Sequence, residues 1–147
     1  GGRRTADGRR GPELTGRTLN SLNMNEIGKE FKFERLVVWR ESLDYLDSVY
    51  RLIKQLPKDE EFNLKSQLRR AATSICLNIA EGSIATTNAE QVQFLKIAIR
   101  SLVETVACLK IIQRNDYITD NHYLTKCDQI ANRLFARLQS FKSSLLS

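Results

Sequence analysis

Histidine occurs once, as His122, and proline only twice. A single imidazole excludes the dinuclear carboxylate centres that some helical bundles carry, because each of those needs a Glu-x-x-His pair from two helices. Thr119, three residues before His122, would be the glutamate in such a pair. The same scarcity leaves one base for any Cys–His nucleophile, and His122 falls in a polar helix start where a solvated surface role is expected. No Walker loop, G-x-G-x-x-G or H-E-x-x-H occurs, so the familiar devices for cradling a phosphate or seating a catalytic zinc are missing. The expectation is a chain without catalytic residues, cofactor or metal ligands, and with no evident small-molecule substrate.

Cysteine is also sparse. Cys76, Cys108 and Cys127 are odd in number and widely spaced, with no C-x-x-C; they read as small buried hydrophobes rather than a disulfide frame. No stretch approaches ~18 uninterrupted apolar residues, so no membrane span is expected. Arginines near the N-terminus precede no apolar run, which argues against a secretory signal. A cytoplasmic location follows by default.

Leu, Ile, Ala, Arg, Lys and Gln are plentiful, a balance that favours helix. The formal net charge is +6, and residues 1–23 account for half of it with five arginines against two acids. That stretch also holds most of the glycines and almost no apolar residues, a composition that cannot offset the entropy of ordering. Residues 1–32 are therefore expected to form a disordered basic segment and residues 33–147 a folded domain. Met24 is the only methionine, so what precedes it reads as a tag or translated upstream sequence, the alternative being a basic arm for nucleic acid.

From Phe33 the pattern becomes helical. Leu36, Trp39, Leu43, Leu46, Tyr50 and Ile53 follow alternating spacings of three and four, the seam of one helix face. Leu56-Pro57 ends that helix. A second helix is expected from about Phe62 to Glu81, with Leu64, Leu68, Ala71, Ala72, Ile75 and Ile79 inward and Gly82 as the residue past its end. Thr87-Asn88-Ala89-Glu90 is a capping-box pattern opening a third helix that runs to about Arg114. A fourth starts after Thr119 or Asp120 and aligns Cys127, Ile130, Ala131, Leu134, Leu138, Phe141 and Leu145. Four helices with short connections predict an all-α, antiparallel up-down four-helix bundle.

The third helix carries more apolar surface than one stripe requires. Leu95, Ala98, Leu102, Leu109 and Ile112 form its inner face, while Val92, Ile99, Val103 and Val106 form a second stripe. Such a surplus predicts a partner surface, here a homo-oligomer. Asn78 and Glu81 near the end of helix two, with Ser101 and Glu104 of helix three, are expected to form an interhelical polar network. Lys65, Arg69, Arg70, Lys96 and Arg100 are candidates for holding a phosphate backbone when repeated around an oligomer. No surface aromatics interleave with these cations, so base stacking is not expected.

Three segments carry a family resemblance: Phe33-Glu34-Arg35-Leu36-Val37-Val38-Trp39; Leu68-Arg69-Arg70-Ala71-Ala72-Thr73-Ser74-Ile75 with Asn78-Ile79-Ala80-Glu81-Gly82; and Phe94-Leu95-Lys96-Ile97-Ala98-Ile99-Arg100-Ser101-Leu102-Val103-Glu104. Over roughly residues 33–146 the chain resembles the bacterial four-helix-bundle proteins encoded in intervening sequences of 23S rRNA genes, some labelled ribosomal proteins. The resemblance implies a homopentameric ring and an accessory role near RNA. A related branch assists the reverse transcriptase of diversity-generating retroelements, so the implied partners are the chain itself and RNA or a nucleic-acid enzyme. The alternative is an adaptor between proteins that does not touch nucleic acid.

Overall fold

The structure is a computed structural model and describes residues 30–147. Four α-helices lie in the second of two units, Lys32–Ser147, the first being Gly1–Phe31. They are α1 (Val37–Ile53), α2 (Leu64–Gly82), α3 (Asn88–Arg114) and α4 (His122–Leu146). No strand occurs among the described residues. The disorder expected of residues 1–32, and the origin of residues 1–23, concern positions that lie outside the described residues as far as residue 29.

Each helix packs on its neighbours in a closed square, with α1 against α2 and α4, and α3 against α2 and α4. Cross-contacts run in opposite directions along paired helices: Ser74 meets Ser101 while Arg70, earlier on α2, meets Glu104, later on α3. That order makes the pair antiparallel, and the short connections carry the alternation around the bundle. The expected inner face of α4 is realised, with Cys127, Ile130, Ala131, Leu134 and Leu138 buried and Phe141 and Leu145 packed at its edge.

The inner face of α1 differs from the expected seam. Val38, Ser42, Tyr45, Val49 and Leu52 are buried, as is Ile53 of the expected seam, whereas Leu36, Trp39 and Leu46 only flank the core and Tyr50 is 41% exposed. Both sets follow alternating spacings of three and four; the second includes two hydroxyl residues and so scores as the weaker stripe. It prevails because both hydroxyls find partners. Ser42 Oγ donates to the Trp39 carbonyl at 2.6 Å. Tyr45 reaches across the diagonal of the square to Thr105 of α3, Oη to Oγ1, at 2.8 Å. Thr105 already donates its one hydroxyl proton to the Leu102 carbonyl at 2.6 Å, so Tyr45 is the donor of the diagonal bond. Burial pushes the Tyr45 phenol well above its ordinary pKa, keeping that proton in place.

Helix ends show three further adjustments. Phe62 is 95% exposed and precedes α2 rather than opening it. Gly82 is the last residue of α2, not the one beyond it, and its role is close approach: a Cβ there would lie 2.8 Å from Phe94 Cβ of α3. The N-cap of α4 is Asn121, while Asp120 Oδ1 accepts from the His122 backbone N–H at 2.9 Å. The start of α3 is as expected, with Thr87 accepting from the Glu90 N–H and Glu90 Oε1 accepting in turn from the Thr86 N–H. At its other end Asp116 takes a φ of 51°, and the Asp116 and Tyr117 N–H groups bond back to the Gln113 and Ile112 carbonyls, a Schellman ending built on a left-handed aspartate.

The donor assignment at the diagonal bond makes the two partners unequal. Thr105→Val strands a buried phenol donor and is expected to cost about 1–3 kcal/mol. Tyr45→Phe leaves Thr105 bonded to Leu102 and is expected to cost less, about 0.5–1.5 kcal/mol. A double-mutant cycle followed by urea unfolding checks the order, and the double variant should be no worse than Thr105→Val alone.

Candidate functional site

The polar residues expected to link α2 and α3 divide between two arrangements. Asn78 Nδ2 donates to the Ser74 carbonyl at 2.9 Å and to Ser74 Oγ at 3.1 Å. Ser101 Oγ donates to the same Ser74 hydroxyl at 2.9 Å across the helix pair. Ser74, which the sequence reading passed over, is thus the hub. Glu104 instead pairs with Arg70, and Glu81 is exposed and joins neither arrangement. Small side chains at Ala71, Ser74 and Gly82 bring the helices close enough for hydroxyls to meet directly.

Of the five candidate phosphate-binding side chains, three already have carboxylate partners. Glu61 accepts from Lys65 at 3.3 Å and from Arg69 at 3.1 Å, and Glu104 takes Arg70. The Lys65 and Arg69 contacts hold the Glu61 carboxyl below its usual range. Lys96 and Arg100, one turn apart on α3, are exposed without an ion-pair partner among the described residues. Arg69 and Arg70 line a shallow groove along α2 with Thr73, Ser74, Leu77, Asn78 and the carboxylate Glu81; Lys96 and Arg100 are not among its lining residues.

The apolar surplus of α3 is covered only in part by its own chain, which leaves Ile97 and Ile111 exposed as well as Val103. Val92 is only 3% exposed and has no surface left for a partner. Ile99 and Val106 pack at the edge of the core. Val103 remains 51% exposed and shares a groove between α3 and α4 with Val106, Ala131 and Phe135, the last 38% exposed. Phe135 escaped the sequence reading because it falls outside the inner seam of α4. Its position beside Val103 depends on how α3 and α4 are paired.

No group of three or more His, Cys, Asp or Glu side chains arranged to hold a metal occurs among the described residues. His122 is exposed against the ring of Tyr123. The three cysteines are free and buried; burial pushes the Cys127 thiol up to about 11 and raises those of Cys76 and Cys108. Protonated and enclosed, they lack the character of nucleophiles. A groove between α1 and α4 is lined by three acids, Glu41, Asp44 and Asp47, and three bases, Arg51, Lys126 and Arg133, so it carries no net charge to attract an ion. Glu41 Oε2 accepts from Arg137 at 2.9 Å, while its buried Oε1 is unpartnered. No described helix is long and apolar enough to cross a membrane.

One electrostatic contact ties two connections at the same end of the bundle. Tyr117 Oη donates to Glu60 Oε2 at 2.7 Å, and Glu60 Oε1 accepts from Asn63 Nδ2 at 3.0 Å and from the Leu64 N–H at 3.4 Å. The Tyr117 bond, with help from Asn63 and Leu64, holds the Glu60 carboxyl below its usual range, and Glu60 holds the Tyr117 phenol above its own. A depressed carboxyl contributes stability that is fully present above its ordinary pKa and is lost as pH falls through the lowered value. A raised phenol contributes stability present below its ordinary pKa and lost as pH rises through the raised value. Between those limits Tyr117→Phe should lower the urea midpoint, and the deficit relative to wild type should vanish on acidification. A deficit independent of pH would contradict the assignment.

The family described as 23S rRNA-intervening sequence protein matches residues 34–139. A crystal structure of a protein of unknown function from the S23 ribosomal protein family, from Bacteroides thetaiotaomicron, is similar to this chain, with a TM-score of 0.66 and 29% sequence identity. The match covers 72% of this chain and 98% of that one. No curated protein matches the chain. The matched region takes in all of α1, α2 and α3 and most of α4, including the Asn78–Ser74–Ser101 contact. The chain belongs to the 23S rRNA-intervening sequence protein family.

Proposed function

We propose that this chain is a non-catalytic, self-associating helical bundle that serves as an RNA-associated accessory protein in the cytoplasm. The observation that carries the self-association is the open strip of Val103 and Phe135 along the α3–α4 groove. Large apolar side chains gain most when removed from water, at about 25 cal/mol per Å². A second copy, or a ring of copies, would cover a strip that the single bundle leaves open. Lys96 and Arg100 lie on the same helix, on turns adjoining Val103, so assembly through α3 would repeat these exposed cations around the oligomer. A pentamer is the form that the family resemblance suggests.

A second reading, an adaptor between proteins, draws on a different observation. Lys65, Arg69 and Arg70 are held by Glu61 and Glu104, and cations so engaged serve solubility as readily as phosphate binding. Exposed pairs of this kind are worth only about 0–1 kcal/mol each, so a phosphate can displace the carboxylates. That arithmetic keeps the RNA reading ahead.

Light scattering should give a mass several times that of one chain at micromolar concentration. Val103→Glu, which places a charge on the open strip without entering the core, should reduce it to a monomer with its helix content retained. A monomeric wild type overturns the assembly. Binding of a structured RNA should weaken with salt, with a log–log slope corresponding to several released counterions. No binding at low salt overturns the RNA reading in favour of the adaptor.

A further inference from the structure

Tyr50 and Phe62 are aromatic rings that the bundle leaves outside. Tyr50, in the last turn of α1, is 41% exposed, and its hydroxyl is held at Thr73 Oγ1 of α2 at 3.3 Å. Thr73 stands one helical turn beyond Arg69 and Arg70 and lines the same outer groove. Phe62, 95% exposed, is the residue after Glu61, the carboxylate that holds Lys65 and Arg69. In chain order the exposed Arg69 and Arg70 fall between Phe62, just before the helix, and Thr73, which holds Tyr50, while Lys65 is largely covered beside Glu61. From Leu64 to Thr73 the helix rises roughly 14 Å, at about 1.5 Å per residue, so a short stretch of polynucleotide can reach from one ring to the other. A single exposed phenylalanine calls for no explanation. A ring at each end of a basic run is the composition of a surface that tracks a phosphate backbone while successive bases stack.

Resting on the RNA reading above, we propose that the outer face of α2 binds unpaired rather than duplex RNA, stacking bases on Tyr50 and Phe62 with phosphates on Arg69 and Arg70. Duplex RNA has its bases stacked on one another, and its recognition rests on phosphate and 2′-hydroxyl contacts for which neither ring is needed. Single strands offer free base faces, and every base has one, so this surface is tolerant of sequence. The tether to Thr73 limits the motion of the Tyr50 ring and reduces the ordering cost of stacking on it. Glu61 and Glu104 temper the affinity by competing with phosphate for the arginines, and the phosphate contacts themselves make binding weaken with salt.

The test compares a labelled, unstructured single-stranded RNA with a duplex of the same length at low salt, using the full chain. Wild type should bind the single strand more tightly than the duplex. Tyr50→Leu and Phe62→Leu, which keep apolar bulk and remove the ring, should each weaken single-strand binding by about fivefold or more and leave duplex binding unchanged. Tyr50→Phe keeps the ring and should retain the single-strand preference. Circular dichroism of each variant should match wild type, and Phe62→Leu carries the test if Tyr50→Leu disturbs the fold. Equal binding of both RNAs, unaffected by the leucine variants, overturns the stacking surface while leaving the RNA reading intact. If wild type binds neither RNA, both fall, and the face is left to a protein partner.

Discussion

The hydrogen bond from Tyr45 to Thr105 is the constraint around which the bundle is arranged. It joins α1 to α3, the diagonal pair whose backbones do not come close. A phenol at the centre of a helical core must find an acceptor or forfeit its hydration, and Thr105, already committed as a donor to Leu102, supplies one. With Tyr45 turned inward, the rotation of α1 about its own axis follows. Val38, Ser42, Val49 and Leu52 enter the core behind it. Trp39 and Leu46 move to the margin, where Trp39 meets Phe33 edge to face with ring centroids 4.6 Å apart, and Tyr50 turns outward over α2.

The α2–α3 pair is organised on a different principle, that of small side chains. Ala71, Ser74 and Gly82 give α2 a face low enough for α3 to come close, and at Gly82 the approach leaves no room for a Cβ against Phe94. Direct contact between the Ser74 and Ser101 hydroxyls is the polar counterpart of that closeness. Glu104, a residue that a pattern reading assigns to an internal network, lies at the rim and meets Arg70 in a largely solvated pair. Close packing excludes long side chains from the seam and moves ion pairs to its edges, where they are weak and exchangeable.

The family relationship and the fold agree. The matched region spans the helices that make the square, and the neighbouring solved structure is matched over 98% of its length. Neither relative brings an activity with it, since that protein is itself described as one of unknown function. The surfaces left open are an apolar strip between α3 and α4, two cations of α3 without an ion-pair partner among the described residues, and the face of α2 that carries Arg69 and Arg70. Each involves residues from more than one helix, or exposure that depends on how one helix is turned.

The sequence by itself determined the number of helices, their approximate ends, the inner stripes of α3 and α4 and the burial of the cysteines. These follow from local periodicity, capping chemistry and hydrophobicity, which act over a few residues at a time. The absence of catalytic motifs was equally readable, since motifs are local too. What only the tertiary structure decided was which of two equally spaced stripes on α1 faces inward. Leu36, Trp39, Leu43, Leu46 and Tyr50 form the more hydrophobic pattern, yet the stripe containing Ser42 and Tyr45 is buried, because its hydroxyls find partners on the α1 backbone and on α3. Partners sixty residues away leave no trace in a helical period. For the same reason the pairing of Val103 with Phe135, the capture of Arg70 by Glu104 and the exposure of Tyr50 were settled by assembly of the bundle.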